Sequence, residues 1–172
     1  MTPTNSSFGF LQAETLSKLD DAGNHVSGDK PTKEDFLHLA MYRGRPDTKA
    51  ITHLHSTYCV CLSCLKDIDE TNMVPAMTPY VHMRVGPVAA APYKRPGDKS
   101  LGPDIEKLAA KHSGIIIRNH GPVVGAQSIR DSVFAMEELE EAARIFLLTR
   151  GLDLNFLTDP ELADLDAIRL GR

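Results

Sequence analysis

Residues 50–56, Ala50-Ile51-Thr52-His53-Leu54-His55-Ser56, decide how this chain is read. They form a short apolar run that ends in two histidines separated by one leucine. Successive side chains of a strand point to opposite faces, so His53 and His55 share one face. A second run, Ile115-Ile116-Ile117-Arg118-Asn119-His120-Gly121, opens β-branched and also ends in a histidine. If both runs belong to one sheet, three imidazoles converge at its edge. Three histidines around an open position are the ligand set of a catalytic zinc. A metalloenzyme is therefore expected. His25, His38, His82 and His112 have no such setting and read as ordinary structural histidines.

The chain has 172 residues, enough for one domain with a sizeable core. Its net charge of −4 and the lack of a basic block argue against a nucleic-acid partner. No run is long and apolar enough to cross a bilayer. The opening Met1-Thr2-Pro3-Thr4-Asn5-Ser6 lacks the charged start and apolar middle of a signal peptide. A cytoplasmic protein with no membrane partner is expected. Cys59, Cys61 and Cys64 are too crowded for a disulfide framework and read as small buried thiols of a core helix. Reduced cysteines also suit a cytoplasmic setting.

Around the two histidine runs, helical and extended patterns alternate. Asp21-Ala22-Gly23-Asn24 reads as a hairpin turn, with His25-Val26 opening the return strand. A helix follows Pro31, with Thr32 as its N-cap and Gly44 and Pro46 as its end. Ser56 is placed to cap the cysteine helix. Residues 80–85 and 88–92 read as strands about a Gly86-Pro87 turn, and 103–112 as a helix. Gly121-Pro122 reads as a turn into Val123-Val124. The clearest helix covers 128–150, and a short one covers 160–170. The run Glu137-Glu138-Leu139-Glu140-Glu141 in the longer helix reads as a solvated face. This alternation gives an α/β domain with helices packed on a mixed sheet.

Glu34 sits in the first turn of the helix after Pro31, beside Lys33 and the free backbone amides of that helix end. An anion could rest there on Thr32, Lys33 and the amides while Glu34 turns towards a metal. Locally, Glu34 also fits an acidic residue favoured by the helix dipole.

The order Glu34, His53-Leu54-His55-Ser56, Asn119-His120-Gly121-Pro122 and then a long Glu-rich helix resembles the class II aldolase/adducin family along essentially the whole chain. The strings Gly28-Asp29-Lys30-Pro31-Thr32-Lys33-Glu34, Thr78-Pro79-Tyr80, Met83-Arg84-Val85-Gly86 and Arg95-Pro96-Gly97-Asp98 are most similar to its members that decarboxylate a 3-oxo-tetronate 4-phosphate. The resemblance implies a three-layer α/β/α domain over residues 1–172 with a central mixed, largely antiparallel sheet. Family members carry an N-terminal helix and a Gly/Ser/Asn phosphate turn ahead of the equivalent of Thr2-Pro3-Thr4, so an N-terminally shortened domain without them is expected.

The same resemblance implies Zn2+ held by His53, His55 and His120, with Glu34 as acid/base residue and fourth ligand in the resting state. Tyr80 matches a proton-donating tyrosine that often acts across a subunit boundary, in enzymes that are typically homotetramers. Thr4, Thr32 and Lys33 match phosphate-site positions, and Asn5 stands where the family usually has glycine. The implied reaction converts the phosphorylated sugar acid to dihydroxyacetone phosphate and carbon dioxide through a metal-stabilised enediolate. Two alternatives share the pattern: a fuculose-phosphate-like class II aldolase, and a non-catalytic assembly module like the adducin head. A scaffold would need neither Glu34 nor the histidines.

Overall fold

Three consecutive isoleucines organise the molecule. Ile115, Ile116 and Ile117 are each fully buried, but they serve different cores. Ile115 and Ile117 pack with Ile51, Val123, Phe36, Met41 and Ile105. Ile116 packs with Val124, Leu62, Val81, Val85 and Leu139. Alternation along a strand therefore places one apolar core on each face of the sheet, and helices cover both.

The structure, a computed structural model, describes residues 1–170. A small hairpin of β1 (Lys18–Leu19) and β2 (His25–Ser27) precedes α1 (Asp35–Gly44). Then follow β3 (Ala50–His53), α2 (Thr57–Ser63), α3 (Pro79–Arg84), β4 (Ala89–Ala91) and α4 (Gly102–Ala109). The chain continues through β5 (Gly114–Ile117), β6 (Gly121–Ala126), α5 (Ile129–Thr149) and α6 (Asp159–Leu170). The main sheet runs β3-β6-β5-β4, antiparallel except for the parallel β4–β5 pair. Helices α1 and α4 pack on one face; α2, α3 and α5 pack on the other. This is the expected three-layer α/β/α arrangement with a mixed, largely antiparallel sheet. No described helix is long and apolar enough to cross a membrane.

Several local expectations are corrected. Residues 80–85 are not a strand: Thr78 leads into α3 with Pro79 in the first turn, and Val81 and Val85 are both buried. Their four-residue spacing fits a helix face, and proline at the start satisfies a position that needs no amide donor. Gly121-Pro122 begins β6 instead of turning; the turn lies just before it. On α2 the buried face is Cys59, Leu62 and Ser63, so only Cys59 is a core thiol while Cys61 and Cys64 are exposed. Thr32 is not the cap of α1, since that position falls to Glu34.

Candidate metal centre

His53 ends β3 opposite Val123 of β6, on the same face as Ile51 and therefore towards α1. Its Nδ1–H donates to the Pro122 carbonyl at 2.8 Å. A carbonyl only accepts, so this bond puts the ring proton on Nδ1 and leaves a lone pair on Nε2. His53 Nε2 is buried without a hydrogen-bond partner of good geometry. That orientation by an outer carbonyl is how metal-ligating histidines are commonly held.

His120 arrives from the turn between β5 and β6. Arg118 N–H donates to Ala91 O (2.9 Å), Asn119 N–H to Ser63 O (3.3 Å) and His120 N–H to Ile117 O (3.1 Å). Asn119 takes a left-handed conformation, φ 53°, which asparagine tolerates better than most residues. Gly121 then lets two backbones meet: a Cβ there would lie 2.5 Å from the Leu54 carbonyl oxygen and 3.4 Å from His55 Cα. Glycine thus brings the His120 turn against the Leu54-His55 segment.

Glu34 reaches the same point from the start of α1. Its N–H donates to Thr32 Oγ1 at 3.3 Å, and its carboxylate makes no cap bond to its own helix. Instead Oε1 lies 3.1 Å from His120 Nε2 and Oε2 lies 3.2 Å from His53 Nε2. His55 Nε2 is 3.0 Å from His120 Nε2. The ligand atoms of Glu34, His53, His55 and His120 all lie within 4.8 Å of one another.

This donor set fits a divalent metal. Tetrahedral zinc with bonds of roughly 2.0–2.1 Å needs neighbouring donors about 3.3 Å apart, close to the 3.0–3.2 Å spacings here. The Glu34 carboxylate oxygens and the His53 Nε2 lone pair face one another, an arrangement a cation satisfies. Interaction with His120, then with His53, holds the Glu34 carboxyl far below its ordinary 4.5. Burial, then the charge of its two histidine neighbours, pushes His55 down from 6.5. An ionised carboxylate and a neutral imidazole are the forms that ligate metal.

Beside the donors lies an open cavity of about 270 Å3, lined by Thr2, Thr4, Asn5, Thr32, His38 and His53 among others. Pairing of the N-terminal segment with 30–32 builds its wall: Thr4 N–H donates to Lys30 O and Thr32 N–H to Thr2 O. Asn5 has φ 58°, so it occupies the left-handed conformation that glycine takes most easily. Of the residues singled out in the sequence, Glu34, His53, His55 and His120 converge, and Thr4 and Thr32 face the adjoining cavity. Lys33 and Tyr80 do not line that cavity. Lys33 runs past Gly97, and Tyr80 is 61% exposed on α3. His38, which the sequence presents as an ordinary structural histidine, lines the cavity, four residues after Glu34 and so on the same helix face. Burial, then the charge of His53, pushes its imidazole down to about 4. The i, i+4 spacing from Glu34 was the signal available for it.

Residues 1–147 match the family described as Class II Aldolase and Adducin N-terminal domain. The chain is 47% identical over 164 residues to a 3-oxo-tetronate 4-phosphate decarboxylase of Pectobacterium atrosepticum, covering 95% of this chain and 75% of that one. It is 34% identical over 149 residues to an L-fuculose phosphate aldolase of Methanocaldococcus jannaschii, covering 86% and 77%. The crystal structure of YgbL from Escherichia coli superposes with a TM-score of 0.92 at 44% identity, covering 95% of this chain and 79% of that one.

Proposed function

The chain belongs to the class II aldolase and adducin family, and from that premise we propose that it is a metal-dependent carbon–carbon lyase that decarboxylates a 3-oxo-tetronate 4-phosphate. The observation that carries this reading is the cluster of Glu34, His53, His55 and His120 at the mouth of a polar cavity. The 47% identity to a decarboxylase of that substrate selects the reaction within the family.

His53, His55, His120 and, at rest, Glu34 hold the metal, with zinc the ion that best suits three imidazoles and a carboxylate. When bound, the metal supplies Lewis-acid charge for the substrate oxygens, worth several kcal/mol in the transition state. In the reaction the C1–C2 bond breaks, carbon dioxide leaves, and the electron pair moves towards the C3 carbonyl. A proton then returns to C2, giving dihydroxyacetone phosphate. Thr4 and Thr32, which face the cavity, receive the phosphate, and Lys33, next in sequence to Thr32, adds positive charge without lining the cavity. Glu34 serves as ligand and acid/base residue in the resting site, and a second group supplies the proton that returns to C2. Tyr80 fills that role from a neighbouring copy in a homotetramer; its exposure and its absence from its own chain's cavity support that placement.

The test is to supply zinc and a 3-oxo-tetronate 4-phosphate and to follow carbon dioxide and dihydroxyacetone phosphate together. Equimolar release is expected, with His55→Ala losing both the activity and about one metal per chain. A fully active, metal-free His55→Ala protein would overturn the proposal. The 34% identity to an L-fuculose phosphate aldolase keeps sugar-phosphate cleavage as a second reading, which aldehyde release without carbon dioxide would select.

A further inference from the structure

The four donors are not held equally. His53 is fixed by its strand register and by its bond to Pro122, and His120 by a turn closed with backbone bonds. His55 lies beyond the end of β3. Among the described residues its ring makes no hydrogen bond except the contact between its Nε2 and His120 Nε2. It therefore lacks the outer partner that usually orients a ligating histidine. Its placement depends on the backbone to either side, and on its C-terminal side that backbone enters α2 after a single residue, Ser56.

The first turn of α2 is anchored from a distance. Glu140, on α5, accepts from Tyr58 N–H at 2.8 Å through Oε1 and from Cys59 N–H at 2.9 Å through Oε2. These amides have no partner within their own helix. Ser56 holds the cap position but makes no side-chain cap bond; its hydroxyl sits beside the same carboxylate. Burial pushes the Glu140 carboxyl up, yet the two amides hold it below its ordinary value. Glu140 thus belongs to an acidic run that reads as solvent-facing but is itself turned inward.

We propose that Glu140 is a positioning residue for the metal centre: by pinning the first turn of α2 it fixes the backbone from which His55 reaches Glu34, His53 and His120. This rests on the reading of those four residues as a metal site.

The experiment is a Co2+ titration of the metal-free protein, followed by visible absorption, for wild type, Glu140→Ala, Glu140→Gln and Glu141→Ala. Melting temperatures are measured on the same samples. Glu140→Ala is expected to bind Co2+ roughly 10- to 100-fold more weakly, the range for lost outer support of a ligand. Glu140→Gln, which keeps one acceptor, is expected between it and wild type. Glu141→Ala, on the exposed side near Arg144, is expected to match wild type. A cap that served stability alone would lower the melting temperature and leave Co2+ affinity unchanged in the folded variant, and that result overturns the inference. Should Glu140→Ala fail to fold, the affinity of Glu140→Gln decides in the same way. Folded wild type that takes no Co2+ would instead remove the metal-site reading, and the inference with it.

Discussion

Replacing Gly121 by alanine tests how the two halves of the site are brought together. The new Cβ would lie 2.5 Å from the Leu54 carbonyl oxygen, where carbon–oxygen contacts normally begin at about 3.3 Å. Backbone on one side or the other must therefore move by about 0.8 Å. Leu54 immediately precedes His55, and Gly121 immediately follows His120, so the displacement falls between two ligands. Metal–ligand distances tolerate only about 0.2 Å. The strain of forcing atoms into a packed site is about 1–3 kcal/mol. For a chain of this length that lowers the melting temperature by roughly 2–12 °C. Thermal unfolding of the metal-free protein reads the strain, and calorimetric titration with zinc reads the separation of the ligands. Both should worsen, with zinc affinity falling at least about tenfold. A Gly121→Ala protein that melts and binds zinc like wild type would refute the close-approach argument.

The pH dependence of stability carries the signature of His38. Its imidazole is held neutral down to about 4 while an unfolded chain titrates near 6.5, so between these values the unfolded state binds more protons. Stability of the metal-free protein is then full above about pH 6.5 and falls as the pH drops towards about 4. At roughly 1.4 kcal/mol per pH unit the loss attributable to this residue is about 3 kcal/mol. His38→Asn should flatten that part of the profile in urea unfolding across the range; an unchanged slope would remove His38 from the account. Thiol titration offers a simpler check on α2. Cys59 is buried, and burial pushes its thiol up, whereas Cys61 and Cys64 are exposed. A thiol reagent should modify Cys61 and Cys64 in the native protein and Cys59 only after unfolding, and rapid labelling of all three would contradict the packing of α2.

The features read correctly from sequence are those whose cause is local. The β3 and β5 runs are apolar and β-branched, and α5 repeats its apolar residues at helical spacing, so element and neighbours agree. The convergence of His53, His55 and His120 is anticipated by strand alternation, although β3 stops at His53 and His55 lies beyond it. Residues 80–85 misled because Val81, Met83 and Val85 satisfy a two-residue alternation as well as a helical repeat, and only Pro79 separates the two. Ser56 does hold the cap position of α2, but the partner of that first turn was illegible for a different reason. Ser56 is the usual residue for the task, but the acceptor that meets Tyr58 N–H comes from Glu140, 82 positions away. No window along the chain contains both partners. His38 was missed because the base rate for lone histidines favours a structural role, and its cavity is assembled only when residues 2–5 fold back against 30–32.

The isoleucine triplet of β5 has one more consequence. On most strands a slip by one residue is prevented by hydrophobicity, since it would turn the buried set to water. Here a slip by one residue would keep isoleucine at two of the three buried positions and bring Gly114 or Arg118 into the third, so the penalty falls at the ends of the run rather than along it. The frame must be set at the ends of the strand. At one end Gly114 is hemmed in, since a Cβ there would meet Val85 Cγ1 at 2.4 Å, so a larger residue cannot slide into its place. At the other end Asn119 takes the left-handed bend that returns the chain into β6. That bend also aims His120. The frame of the central strand and the aim of the ligand are therefore one decision, and a chain that folded a step out of phase would keep most of its core and lose its chemistry.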